Sequence, residues 1–224
     1  MALILAIETT TKNCSIALFN NGILVQLKEE NSDSYSHSEN LTLFINEVLI
    51  KESIPINKLD AIAVSKGPGS YTGLRIGTST AKGLCYSLGI PLIAISTLKA
   101  MVLGISENQE YDFYCPMIDA RRMEVFAAIF DSKKNQVRDI MADVVDRNTY
   151  KEYLDKQVMF FGDGAMKCEK MINHKNATYI EGISPSAKDM GILSCQKFEN
   201  KDFEDVAYFE PFYLKDFVAG KKKV

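Results

Sequence analysis

The feature that most restricts the fold of this 224-residue chain is that it reads twice. Residues 2–7 form an unbroken apolar run closed by Glu8, and residues 115–119 form a second run closed by Asp119. Each acid stands eleven positions before a phenylalanine, Phe19 and Phe130, and Ala17-Leu18-Phe19-Asn20 lines up with Ala128-Ile129-Phe130-Asp131. Further on, residues 61–65 lead into Lys66-Gly67-Pro68-Gly69-Ser70, and residues 158–161 lead into Gly162-Asp163-Gly164-Ala165. Two matches in the same order predict a duplicated ββαβ-type unit, and self-similarity outranks any single motif. Strand–helix–strand alternation then implies an α/β fold whose sheet is partly parallel.

Local signals fill in the first copy. Asn20-Asn21-Gly22 separates two β-prone runs, 14–19 and 23–27, and Asn-Gly accepts the positive φ angles of a tight hairpin. Leu41, Phe44, Ile45, Val48 and Leu49 recur at helical spacing behind Ser38, a predicted N-cap. A longer helix is predicted from about 71 to 88, stopped by Gly89 and Pro91, with a strand over 92–95. The polar stretch 104–112 marks a boundary. The expected units are therefore 1–104, completed by 203–224 through Pro211, Phe212, Tyr213 and Leu214, and a smaller unit over 105–202. After Ser184-Pro185 a single helix is predicted over 186–198.

Composition serves mainly to exclude. A net charge of -3 and a pI near 5.5 rule out a chain built chiefly to coat nucleic acid, while leaving room for a local basic patch. The five cysteines are widely spaced with no Cys-x-x-Cys pair, which suits a reducing cytosol rather than a disulfide framework or zinc site. No apolar run approaches the ~18–20 residues of a membrane span, and the first run is too short for a secretory leader. A soluble cytoplasmic protein is the expectation.

Several constellations could carry chemistry. Glu8-Thr9-Thr10-Thr11 could offer hydroxyls and backbone N–H groups to a nucleotide's phosphates while the carboxylate orients a magnesium-bound water. The same residues also make an ordinary polar turn. The block Lys66-Gly67-Pro68-Gly69-Ser70-Tyr71-Thr72-Gly73-Leu74-Arg75-Ile76-Gly77 runs from a strand end into a helix, a ready anion site, yet it fits neither the P-loop nor Gly-x-Gly-x-x-Gly. Gly73, Gly77 and Ala81 flatten one side of that helix, for close approach either of a partner or of the chain's own sheet. Asp163 between two glycines is either a magnesium-linked carboxylate or a loop-turning residue, and Asp119 beside Arg121 and Arg122 reads as a solvated ion pair. His37 and His174 have no spaced acidic companions, so no metal ligand set is expected. Lys221-Lys222-Lys223 reads as a frayed basic tail.

Ile7-Glu8-Thr9-Thr10, His37-Ser38-Glu39, the glycine block with Ala81-Lys82-Gly83-Leu84, and Asp119-Ala120-Arg121 with Glu124-Val125 strongly resemble the bacterial TsaB (YeaZ) family. The resemblance implies an actin/sugar-kinase-like fold, duplicated domains with mixed five-stranded sheets flanked by helices. It implies a non-catalytic partner of the related TsaD protein, assembled with the ATPase TsaE, in a complex that attaches threonylcarbamoyl to the adenosine beside the anticodon of ANN-reading tRNAs. ATP and metal are then expected in the partner subunits, tRNA is met only through the complex, and the chain pairs with itself when alone. TsaD carries two metal-binding histidines four residues apart; counted from Pro91, those positions here are Thr97 and Met101, which suit no hard or borderline metal. The expected docking face comprises helices 39–51 and 71–88, with Leu41, Phe44, Ile45, Val48, Gly73, Gly77, Thr80 and Ala81. Glu8, Thr9, Thr10, Asp119 and Asp163 are expected to be a vestigial nucleotide site. Two alternatives stand beside this: an independent nucleotide-binding ATPase, and a glycoprotease-like metallopeptidase.

Overall fold

Each half of the chain builds one five-stranded sheet with the same strand order, in a computed structural model that describes residues 2–31, 37–106 and 110–215. The first sheet is ordered β3 (Ile23–Asn31), β2 (Asn13–Asn20), β1 (Leu3–Glu8), β4 (Ala61–Gly67), β5 (Leu92–Ser96). The second repeats it as β8 (Gln136–Val144), β7 (Glu124–Asp131), β6 (Phe113–Asp119), β9 (Val158–Phe161), β10 (Ala177–Ile180). In both, an antiparallel three-stranded meander continues into two parallel strands. The α/β class and the duplication are therefore as expected. The two acid-ended hairpins differ by one residue in closure, since Glu8 faces Ser15 whereas Asp119 faces Val125. The β2–β3 turn has φ of 51° at Asn21 and 78° at Gly22, the left-handed pair that a tight hairpin demands.

The helices are less symmetric than the sheets. The first half carries α1 (His37–Lys51) and α2 (Tyr71–Leu88), whereas the corresponding connections of the second half hold only single-turn helices at Lys151–Tyr153 and Met166–Cys168. Helix α1 starts one residue before Ser38, so Ser38 lies in the first turn and is not its cap. Helix α2 keeps the expected bounds: the Ser70 hydroxyl accepts from the Gly73 N–H, and left-handed Gly89 ends it. A short helix, α3 (Thr97–Leu103), follows β5 without a strong signal of its own. The helix expected over 186–198 is broken into a single turn, Ala187–Met190, and α4 (Gly191–Glu199). The break falls where Gly191 meets the Phe19 ring, 2.4 Å from where a Cβ would stand.

Period-2 alternation sorts the first sheet's side chains. Leu5, Ile7, Ile16 and Leu18 pack under α1 and α2, and Ile4, Ala6, Ala17 and Phe19 pack against Ala187, Met190, Leu193 and Phe198. Residues 187–199 thus cover the first sheet. Helix α3 sits between the halves, with Ala100 on the first sheet's core and Leu98, Met101 and Val102 against Phe126, Phe130 and Phe161 of the second. Beyond α4 the chain returns: Glu204 bridges Leu92, Phe209 enters the core beneath α1 and α2, and the Phe212 N–H donates to the Lys66 carbonyl at 2.7 Å. Lys221, Lys222 and Lys223 lie outside the described residues. No helix among the described residues is long and apolar enough to cross a membrane.

Candidate functional site

The two acid-ended turns and the two glycine loops after β4 and β9 are where nucleotide chemistry was expected, and in both halves the chain fills them itself. Glu8, Thr9, Thr10 and Thr11 are buried. The Thr9 hydroxyl donates to the Gly73 carbonyl at 2.8 Å, and the Thr10 hydroxyl and N–H both donate to Glu8 Oε1. The Ser70 N–H donates to the Thr10 carbonyl at 2.7 Å, and His37 Nε2 donates to the Thr11 carbonyl, also at 2.7 Å. Burial pushes the Glu8 carboxyl above its ordinary range, against hydroxyl bonds from Ser65 and Thr10 that pull it down. Burial likewise holds the His37 imidazole low. The Thr9 and Thr10 hydroxyls and the Thr10 N–H thus donate into the fold, while Lys12 in the same turn is exposed.

What seals the turn is the glycine stripe. A Cβ on Gly69 would lie 2.5 Å from the Thr10 carbonyl oxygen, on Gly73 2.0 Å from that of Thr9, and on Gly77 2.3 Å from the Thr9 hydroxyl. The three glycines let α2 lie directly on the β1–β2 turn. Ala81, Leu41, Phe44, Ile45 and Val48 are buried in the same core and Thr80 is half-buried. The stripe and the apolar face of α1 thus pack in the chain's own interior. The outward sides of the same helices are different residues. Leu43 is 56% exposed, Ile50 66% and Tyr86 86%, and Ser79, Gly83 and Ser87 form a second small-residue stripe in which a Cβ on Gly83 would meet nothing within 4 Å among the described residues.

The second half is closed in a parallel way. Gly162 and Gly164 let the Asp163 loop lie on the end of β6, a Cβ on Gly162 falling 2.2 Å from the Met117 carbonyl oxygen. The Asp119 N–H donates to Asp163 Oδ1 at 3.0 Å, and burial raises the Asp163 carboxyl above its ordinary range. Asp119 does not pair with the neighbouring guanidinia: its carboxylate takes the Lys167 ammonium and the Arg121 N–H. Lys167, whose part no local motif signals, also donates to the Arg122 and Glu124 carbonyls at 2.9 and 2.6 Å. Thr97 and Met101 are buried, and the Thr97 hydroxyl is bonded to that of Ser65 at 2.6 Å. Among the described residues no three His, Cys, Asp or Glu side chains gather as a metal site would require.

A cavity of about 260 Å³ lies beside these turns, lined in part by Asn13, Glu29, Gly104, Ser186 and Asp189. Burial pushes the Asp189 carboxyl up to about 6, with Lys188 opposing and Glu29 and Glu8 adding to the rise. The folded chain therefore holds this proton to higher pH than the unfolded chain, so the fold is favoured below about pH 4 and loses that stability as pH rises through about 6. Asp189→Asn keeps the shape and removes the charge. It is expected to raise stability at neutral pH by about 1–2 kcal/mol and to flatten the pH dependence between those values, as read by urea unfolding across the range.

The doubled sheet, its strand order, and strand ends converging on acid-tipped turns define the actin/sugar-kinase-like class. A family model for TsaD, tRNA N6-adenosine threonylcarbamoyltransferase, matches residues 31–223. The chain is 30% identical to the tRNA threonylcarbamoyladenosine biosynthesis protein TsaB of Bacillus subtilis over 229 residues, 95% of this chain and 93% of that one. It is 28% identical to TsaB of Escherichia coli over 228 residues, 98% and 97% of the two chains. YeaZ from Pseudomonas aeruginosa superposes with a TM-score of 0.78 at 23% identity, over 96% of this chain and 100% of that one. The chain belongs to the TsaB (YeaZ) family.

Proposed function

We propose that this chain works in tRNA threonylcarbamoyladenosine biosynthesis as a non-catalytic subunit that docks TsaD and supports TsaE binding. The observation that carries the reading is the contrast between the two sides of α2. Its inner stripe seals the former phosphate turn, while its outer stripe, Ser79, Gly83 and Ser87, lies open beside exposed Leu43, Ile50 and Tyr86. An interior glycine costs a helix about 1 kcal/mol relative to alanine. At Gly73 and Gly77 close packing within the chain offsets that cost, whereas at Gly83 nothing among the described residues does. A backbone approaching from outside is the natural occupant, and exposed apolar side chains flanking a flat strip suit a helix of a partner protein. In the absence of TsaD the same self-complementary strip pairs two copies of this chain. Threonylcarbamoyl transfer to the adenosine beside the anticodon, with its ATP and metal, then belongs to the partner subunits.

Two measurements test this reading. Mixed with TsaD, the chain should co-elute as a heterodimer at the expense of its own dimer, and TsaE should join only the pair. Titration calorimetry of the isolated chain with ATP and magnesium should show no binding in the micromolar range. Failure to co-elute would remove the docking role, and micromolar ATP binding would restore an independent nucleotide function.

A further inference from the structure

We propose that this chain contacts RNA directly, through the Arg121-Arg122 turn and the basic, aromatic rim that the C-terminal segment lays beside it. The choice of RNA among polyanions rests on the reading above; the surface itself rests on geometry. The turn between β6 and β7 places two consecutive non-glycine residues in the left-handed region, φ 69° at Arg121 and 49° at Arg122. Such residues cost stability, of order 1 kcal/mol each, and persist where the surroundings enforce them. Here the Arg121 N–H donates to Asp119, the Glu124 N–H donates to the Arg121 carbonyl, and the Lys167 ammonium sits beneath, on the carbonyls of Arg122 and Glu124. Of the acids beside the turn, Asp119 is paired with Lys167 and Glu124 with Lys215, while the largely buried Asp163 accepts from the Asp119 N–H. Both guanidinia are exposed and neither forms an ion pair with a described residue. The turn thus presents two adjacent uncompensated cations on a rigid base.

The C-terminal segment extends this charge onto the first half. Phe212 is bonded to the Lys66 carbonyl, Tyr213 packs on Tyr71 at 5.0 Å between ring centres, and the Arg75 guanidinium lies 4.2 Å from the Tyr71 ring. Three residues after Phe212, Lys215 reaches Glu124 at the foot of the arginine turn. Lys66 and Arg75 make no ion pair among the described residues, and Phe212 is exposed. On a chain whose net charge is -3, this sets Arg75, Lys66 and the rings of Tyr71, Phe212 and Tyr213 along the segment that leads to the arginine turn. Arginine forks take phosphates in pairs, and exposed rings stack on unpaired bases of loops.

The test uses the full chain with a labelled tRNA transcript, read by fluorescence anisotropy over a salt series, beside co-elution with TsaD. Asparagine tolerates the left-handed region, so R121N/R122N removes the charge without new strain, and R121E/R122E reverses it. Both are expected to melt like the parent and to co-elute normally with TsaD. RNA affinity is expected to fall more than tenfold, and the salt slope by about 1.5, the loss of two phosphate contacts. Lys58→Glu, at the opposite end of the first sheet, is expected to bind as the parent does. The proposal is overturned if the parent shows no salt-dependent RNA binding, if the arginine variants bind unchanged, or if Lys58→Glu weakens binding as much. Loss of TsaD co-elution with RNA affinity intact would assign the rim to an acidic protein partner and overturn it equally. Failure of the docking reading, by contrast, would appear in the parent's own co-elution.

Discussion

Gly73→Ala is expected to destabilise the fold by about 3 kcal/mol or more, lowering the melting temperature by roughly 6–12 °C. A methyl at this position would stand 2.0 Å from the Thr9 carbonyl oxygen and 3.2 Å from its carbon, both backbone atoms in a turn that cannot retreat. The turn is held by the Thr9 hydroxyl on the Gly73 carbonyl, the Ser70 N–H on Thr10, and His37 on Thr11. Moving α2 outward to admit the methyl breaks those bonds in a buried site, at about 1 kcal/mol each or more. It also loosens Ala81 and Cys85 from the core below α2. Overpacking and lost bonds therefore act together. A melt followed by circular dichroism reads the effect, and an unchanged transition would mean that α2 does not lie on the turn.

Gly83→Leu, ten residues along the same helix, is expected to do the opposite to the fold and more to the function. Its Cβ points into open space, so leucine removes the glycine penalty and stabilises the chain by up to about 1 kcal/mol. On the docking reading the added side chain stands where TsaD's backbone must approach, and affinity is expected to fall about a hundredfold, or roughly 2.7 kcal/mol. Leu43→Asp and Ile50→Asp, which lie outside the core, should weaken the same complex without lowering the melting temperature. Binding measured by titration of labelled TsaD separates the cases. If Gly83→Leu binds at parental strength, the outer stripe is solvent-facing surface and the interface lies elsewhere.

The contrast between these two glycines also marks what was legible in the residues alone. The doubled acid-ended runs, the Asn21-Gly22 turn and the bounds of α2 are visible because each is written in local pattern: alternation, a turn dipeptide, a cap and a stop. The direction of a small-residue stripe is not local. Gly73 and Gly77 permit close approach by anything, and only the folded β1–β2 turn shows that the approaching group is Thr9. Leu41, Phe44, Ile45 and Val48 were visible as an apolar face, yet an apolar face on a helix covering a sheet belongs first to that sheet. Lys167 was missed because it acts on the β6–β7 turn from more than forty residues away, with no spacing rule to announce it. The edge strands β8 and β10 were missed because they are half-exposed and interrupted by polar residues, which blurs alternation.

On the docking reading this chain contributes by being bound, while α2 keeps its β1–β2 turn covered. Reconstituted threonylcarbamoyl transfer to tRNA tests it most directly, with TsaD, TsaE, ATP and a threonylcarbamoyl donor present, and with this chain supplied as parent, supplied as Gly83→Leu, or withheld. Full modification with the parent, loss of it on omission, and the same loss with the well-folded Gly83→Leu are the predicted results. Modification that proceeds undiminished without this chain, or that the isolated chain performs by itself, would contradict the claim.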